Sequence, residues 1–110
     1  MITIITEEPG KLLTKIRDAV DDKAIETWEY DDEGDFTHTP PQWRRKAWLR
    51  PSVEQNKLSF YIVPHTQGLS VPVYAVYHGR FIEMMLTHFD KSFSLAFASA
   101  ALSGGDIIPS

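Results

Sequence analysis

The sequence predicts an α+β fold, a mostly antiparallel sheet of about six or seven strands with two helices packed against it. Three observations carry this. Short β-branched and aromatic runs with period two recur along the chain, each closed by Gly, Pro, Asn or Asp. Only two stretches, about residues 8–21 and residues 80–90, take up helical spacing instead. The 110 residues, 43% hydrophobic and 12% aromatic, suffice for one core and leave no room for a second. Residues 1–110 are therefore read as a single domain.

Ile2, Ile4 and Ile5, interleaved with Thr, form the first strand. Pro9 suits a first helical turn, Glu7 and Glu8 oppose the positive end of the dipole, and Leu12, Leu13, Ile16 and Val20 make one stripe. Residues 25–39 read as a hairpin, with Ile25 and Thr27 on one face, Trp28 and Tyr30 on the other, and Asp-Glu-Gly-Asp at the reversal. Pro40 and Pro41 end that hairpin, because neither can donate to a ladder. Alternation resumes from Trp43 to Val53, Asn56-Lys57 turns the chain, and LSFYIV is a strand closed by Pro64. HTQGLS reads as a loop and VPVYAVY as a sixth strand broken by Gly79. The second helix then places Phe81, Met85 and Phe89, flanked by Ile82 and Leu86, on its apolar face, with Arg80, Glu83, Thr87 and Asp90 opposite. FSLAFASA is the seventh strand and SGGDIIPS a frayed tail.

The net charge of -4 is unevenly distributed. Residues 1–35 hold eleven acids against four bases, whereas residues 36–57 hold Arg44, Arg45, Lys46, Arg50 and Lys57 against Glu54 alone. Such separation steers charged partners. There is no cysteine, which excludes disulfides, thiolate nucleophiles and thiolate metal sites. MITIITEEPG has neither a basic lead nor a long apolar run, so a cytoplasmic protein without membrane attachment is expected.

The acidic turn carries Glu29, Asp31, Glu33 and Gly34 at spacings that loosely mimic a calcium loop, but Pro40 falls where the bidentate carboxylate must be. A solvated hairpin tip or a protein-binding acidic face, comprising Glu26, Glu29, Asp31, Asp32, Glu33 and Asp35, is the better account. QWRRKAWLR has the residues of an RNA-binding module built on Trp48 with Arg44, Lys46 and Arg50. Alternation, however, spreads its bases over both faces, and tryptophans filling a core explain it as well. At least one of Trp43 and Trp48 is expected to be buried.

Of the four histidines, His88 falls on the apolar side of the second helix, where a hydrogen-bonded structural residue is the ordinary reading. Were His38 to meet His78, Glu83 or His88, a two-histidine acid/base site of the kind that cleaves phosphodiesters would result. No histidines stand three or four apart, no HExxH occurs, and the P-loop, Rossmann and GxSxG patterns are missing. Neither a metal nor a cofactor is expected.

GDFTHTPPQWRRKAWLRP (34–51) and YAVYHGRFIEMMLTHFD (74–90) resemble a family of small bacterial proteins. That family shares Gly-Asp-Phe-Thr-His, Gln-Trp-x-x-Lys-Ala-Trp and His-Gly-Arg-Phe-Ile-Glu-Met blocks. The resemblance implies no catalytic role. In size, acidity and lack of active-site motifs the chain is also similar to immunity proteins of polymorphic or contact-dependent toxin systems. That likeness implies direct binding of a cognate toxin, a basic nuclease in the commonest case, by an acidic surface.

Overall fold

The computed structural model describes residues 1–100. Six strands and two helices follow in the order β1 (Ile2–Ile5), α1 (Pro9–Asp21), β2 (Trp28–Tyr30), β3 (Phe36–His38), β4 (Ala47–Glu54), β5 (Lys57–Pro64), α2 (Val71–Phe89) and β6 (Leu95–Ala98). A 3-10 turn, Asp90–Ser92, joins α2 to β6. The strands form one sheet in the order β2-β3-β4-β5-β1-β6, and every neighbouring pair is antiparallel. The fold is α+β, as the sequence predicts.

Pleating sorts the side chains. Ile2, Ile4, Leu49, Leu58, Phe60 and Ile62 point to one face and are wholly buried with Leu12 and Ile16 of α1 and Tyr77, Phe81 and Met85 of α2. Both helices therefore cover the same side. Pairing of Ile2 with Phe60 and of Ile4 with Leu58 keeps the apolar residues in register across the sheet. Asn56 turns β4 into β5 with φ of 59°, a left-handed conformation that asparagine tolerates well.

Several expectations are corrected. VPVYAVY is not a strand but the first two turns of α2. Ser70 caps that helix, its hydroxyl accepting from the Val73 N–H at 3.3 Å, and Pro72 occupies the first turn. Tyr77, His78, Phe81, Met84 and Met85 continue one buried stripe, so packing overrides the β propensity of the valines. Gly79 does not interrupt the helix, and Leu86 is 53% exposed, off the apolar face. The strand expected to start at Trp43 starts at Ala47, after turns in which Arg45 takes φ of 58°. Lastly, Trp43 and Trp48 are both only half-buried, while Trp28 is the core tryptophan at 2% exposure. The strand expected over FSLAFASA is the four-residue β6, and SGGDIIPS lies outside the described residues.

Phe81 fastens α2 to the sheet. Its ring lies 5.0 Å from Trp28, 6.0 Å from Phe36 and 4.5 Å from Phe60, thus touching β2, β3 and β5. Phe81→Ala and Trp28→Ala should each cost about 3–5 kcal/mol, whereas Trp48→Ala should cost about 1 kcal/mol. Urea midpoints of the three variants measure the difference.

Candidate functional site

The hairpin of β2 and β3 is closed by its own aspartate. Asp31 Oδ1 accepts from the backbone N–H of Glu33 at 3.0 Å and of Asp35 at 2.9 Å, a side-chain turn that fixes the tip. Gly34, at φ of 85°, supplies the left-handed residue. A Cβ there would stand 2.7 Å from the end of the Arg17 side chain, which can swing aside, so the left-handed backbone is what favours glycine.

Asp35 leaves the solvated tip altogether. It is 3% exposed, and Arg50 donates to it through Nε at 3.0 Å and Nη2 at 2.8 Å. Pairing of Phe36 with Leu49 sets β3 against β4 so that the two charges meet. The carboxylate holds the Arg50 guanidinium above its already high ordinary pKa. Glu33 reaches the same Arg50 at 3.4 Å, and Glu29 lies 3.8 Å from Arg44. Arg44 and Arg50 of the basic segment thus neutralise part of the hairpin. Arg50 in particular does not join a surface track with Arg44 and Lys46.

Glu26, Asp31, Asp32 and Glu33 remain exposed, and α1 brings further acids to them. Asp18, Asp21 and Asp22 crowd its C-terminal turn, where no base is present. Tyr30 joins helix to hairpin, donating its hydroxyl to Asp21 Oδ1 at 2.7 Å, with Arg17 5.8 Å above its ring. That bond, followed by lesser desolvation and the Asp21 charge, raises the Tyr30 pKa. Sequence reading counted these helix acids in the overall balance but not in the candidate site. The usable signal was three aspartates where a helix dipole favours bases.

The histidines divide. His38, Glu83 and His88 line one cavity of about 330 Å³ between the β2–β3 edge and α2, together with Trp28, Trp43, Arg80 and Thr87. His88 is therefore an exposed rim residue rather than part of the core stripe. His78 is elsewhere: its ring stacks on Tyr74 at 3.9 Å, Nδ1 donates to the Tyr74 carbonyl at 2.7 Å, and Nε2 lies 2.9 Å from the Met1 nitrogen. His65 stacks on Trp48, with ring centroids 6.2 Å apart.

His38 is 5% exposed. Its Nδ1 donates to the Thr27 carbonyl at 2.6 Å, which assigns the proton and leaves Nε2 as the basic nitrogen. Burial lowers its pKa, and nearby Arg80 adds to the effect, against the opposing pull of the Thr27 bond and Glu83. A neutral imidazole with a fixed tautomer can accept a proton or a hydrogen bond; no bound group is needed for either. Among the described residues no set of three or more His, Cys, Asp or Glu is placed to hold a metal ion, and no helix is long and apolar enough to cross a membrane.

Two outcomes check this geometry. Asp35→Ala should cost on the order of 2–3 kcal/mol because Arg50 loses the buried one of its two carboxylate partners, whereas Asp32→Ala should stay within about 0.5 kcal/mol of wild type, read from denaturation midpoints. His38 should titrate below its ordinary value of about 6.5. Because the unfolded chain then binds the proton first, stability is full above that value and falls as pH drops toward the folded pKa. His38→Gln should flatten this slope in stability measured between neutral and acid pH.

Set against protein-family models, curated proteins and solved structures, the chain matches none, so the resemblance read from its two sequence blocks rests on those residues alone.

Proposed function

We propose that the protein is an immunity-type inhibitor, acting in the cytoplasm, that neutralises a basic bacterial toxin of nuclease type by direct contact through an acidic surface. The observation that carries the reading is the grouping of Asp18, Asp21 and Asp22 at the C-terminus of α1 beside the Asp31–Glu33 tip. Asp18 and Asp22 oppose the helix dipole at a cost of about 0.3–1 kcal/mol each, while Asp21 is offset by the Tyr30 hydroxyl. Folding alone does not favour the placement of Asp18 and Asp22. A partner does, because the negative helix end and the clustered carboxylates add to one field that attracts a basic surface.

Asp35 and Glu29 take a supporting part in this reading, since Arg50 and Arg44 engage them. The contact face is Asp18, Asp21, Asp22, Glu26, Asp32 and Glu33, with Asp31 shaping the tip.

The test is co-expression and pull-down with the product of the neighbouring reading frame, together with protection of cells from it. The triple variant Asp18→Asn, Asp22→Asn, Asp32→Asn should fold at least as well as wild type, since exposed charges add little to stability. It should associate with the toxin about tenfold more slowly and with a flatter salt dependence. No complex, or unchanged association rates in the variant, would overturn the reading.

A further inference from the structure

An acidic recognition face does not account for the three adjacent cations Arg44, Arg45 and Lys46. They stand on turns between β3 and β4 whose backbone is tied to the core. Trp43 N–H donates to the Pro40 carbonyl at 2.9 Å, Lys46 N–H to the Trp43 carbonyl at 3.3 Å, and Arg45 N–H to the Thr37 hydroxyl at 3.2 Å. The buried Tyr77 donates its hydroxyl to the same Trp43 carbonyl, 3.0 Å from the Thr37 oxygen. The three side chains nevertheless stay exposed. Arg45 takes φ of 58°, a conformation that glycine enters at less cost. Neighbouring like charges also repel. Folding therefore favours neither the run of cations nor an arginine at that position.

All three line one cavity of about 830 Å³, together with Trp43, His65 and Ser70, and no acid is among its described lining residues. Arg44 shares its charge with Glu29 at 3.8 Å, both side chains being exposed. Arg45 and Lys46 have no carboxylate within 4 Å among the described residues. His65 adds a donor: its Nδ1 accepts from the Gln67 N–H at 3.1 Å, which puts the ring proton on Nε2. The cavity is thus of one sign and calls for an anion. Its aromatic side chains narrow the class further. Single-stranded nucleic acid uses both features, phosphates pairing with the cations and bases stacking on rings, whereas an acidic polypeptide uses the cations alone.

We propose that this cavity binds single-stranded nucleic acid, Arg44, Arg45 and Lys46 pairing with phosphates of the strand while Trp43 and His65 meet its bases. None of Asp18, Asp21, Asp22, Glu26, Asp32 and Glu33 lines it, so the site is independent of the toxin-binding reading and either can fail without the other.

The experiment is fluorescence anisotropy of labelled oligouridylate and oligoadenylate, each of about eight nucleotides, titrated with the full chain. At least one should bind saturably at low salt, and log K should fall against log salt with a slope of about −2, as three phosphate contacts on a single strand require. Arg45→Gly removes a charge while relaxing the backbone, so the double variant Arg45→Gly, Lys46→Gln should unfold at no lower a urea concentration than wild type. It should nevertheless bind at least tenfold more weakly, with a slope of about −0.7. Arg44→Gln, Lys46→Gln leaves residue 45 untouched and should give the same loss. Lys15→Gln removes a charge from α1, outside the cavity, and should change neither affinity nor slope. The proposal is overturned if neither oligonucleotide binds at low salt, if both double variants bind as wild type does, or if Lys15→Gln weakens binding as much as they do. It is equally overturned if a polyglutamate peptide of the same charge displaces the oligonucleotide at equal concentration, which would assign the surface to an acidic protein.

Discussion

Packing of Phe81 against Trp28, Phe36 and Phe60 is the contact on which the rest of the molecule depends. β2 and β3 are three residues long each and stand at the edge of the sheet, too short to hold position by ladder hydrogen bonds alone. Edge-on rings from α2 anchor them instead, with Tyr77 adding a hydroxyl contact to Thr37 at 3.0 Å. Once that edge is anchored, the acidic hairpin has a fixed base and the His38 cavity has two walls. A single aromatic cluster therefore positions both candidate sites.

Electrostatics then separate acids that build from acids that are displayed. Asp31 commits its carboxylate to the turn and Asp35 to Arg50, so each is bound to the fold by hydrogen bonds of 2.8, 2.9 and 3.0 Å. Asp18, Asp22, Asp32 and Glu26 lie on the surface. The sequence offers all of them as one acidic run, yet their roles differ because burial and partner geometry differ. The same holds for the basic segment, where Arg50 completes an internal pair while Arg45 and Lys46 face solvent at the turn before β4.

Two surfaces of opposite character result. One is acidic and polar, formed by the end of α1 and the hairpin tip. The other is a small concavity lined in part by the rings of Trp28, His38 and Trp43, with Arg80 paired to Glu83 at its wall. Sharing one scaffold requires no coupling between them.

Local pattern was enough to establish the α+β class, β1, α1, the reversal at Gly34 and the turn at Asn56, because turn chemistry and strand alternation are properties of adjacent residues. It misassigned VPVYAVY, since alternating valines carry strand propensity. The buried stripe from Tyr77 through Phe81 to Met85 is favourable only when a sheet lies opposite to receive it. The choice of Trp28 over Trp43 and Trp48 for the core also required that sheet. Among site residues, the acidic hairpin was visible as composition, but the loss of Asp35 to Arg50 needed the β3–β4 register. His38, Glu83 and His88 were legible as candidates, and only the docking of α2 on the β2–β3 edge brought these three together while sending His78 to Tyr74. Spacing in a chain reports neighbours along one element; distances between elements are decided by how their apolar faces pack, which no single stretch contains.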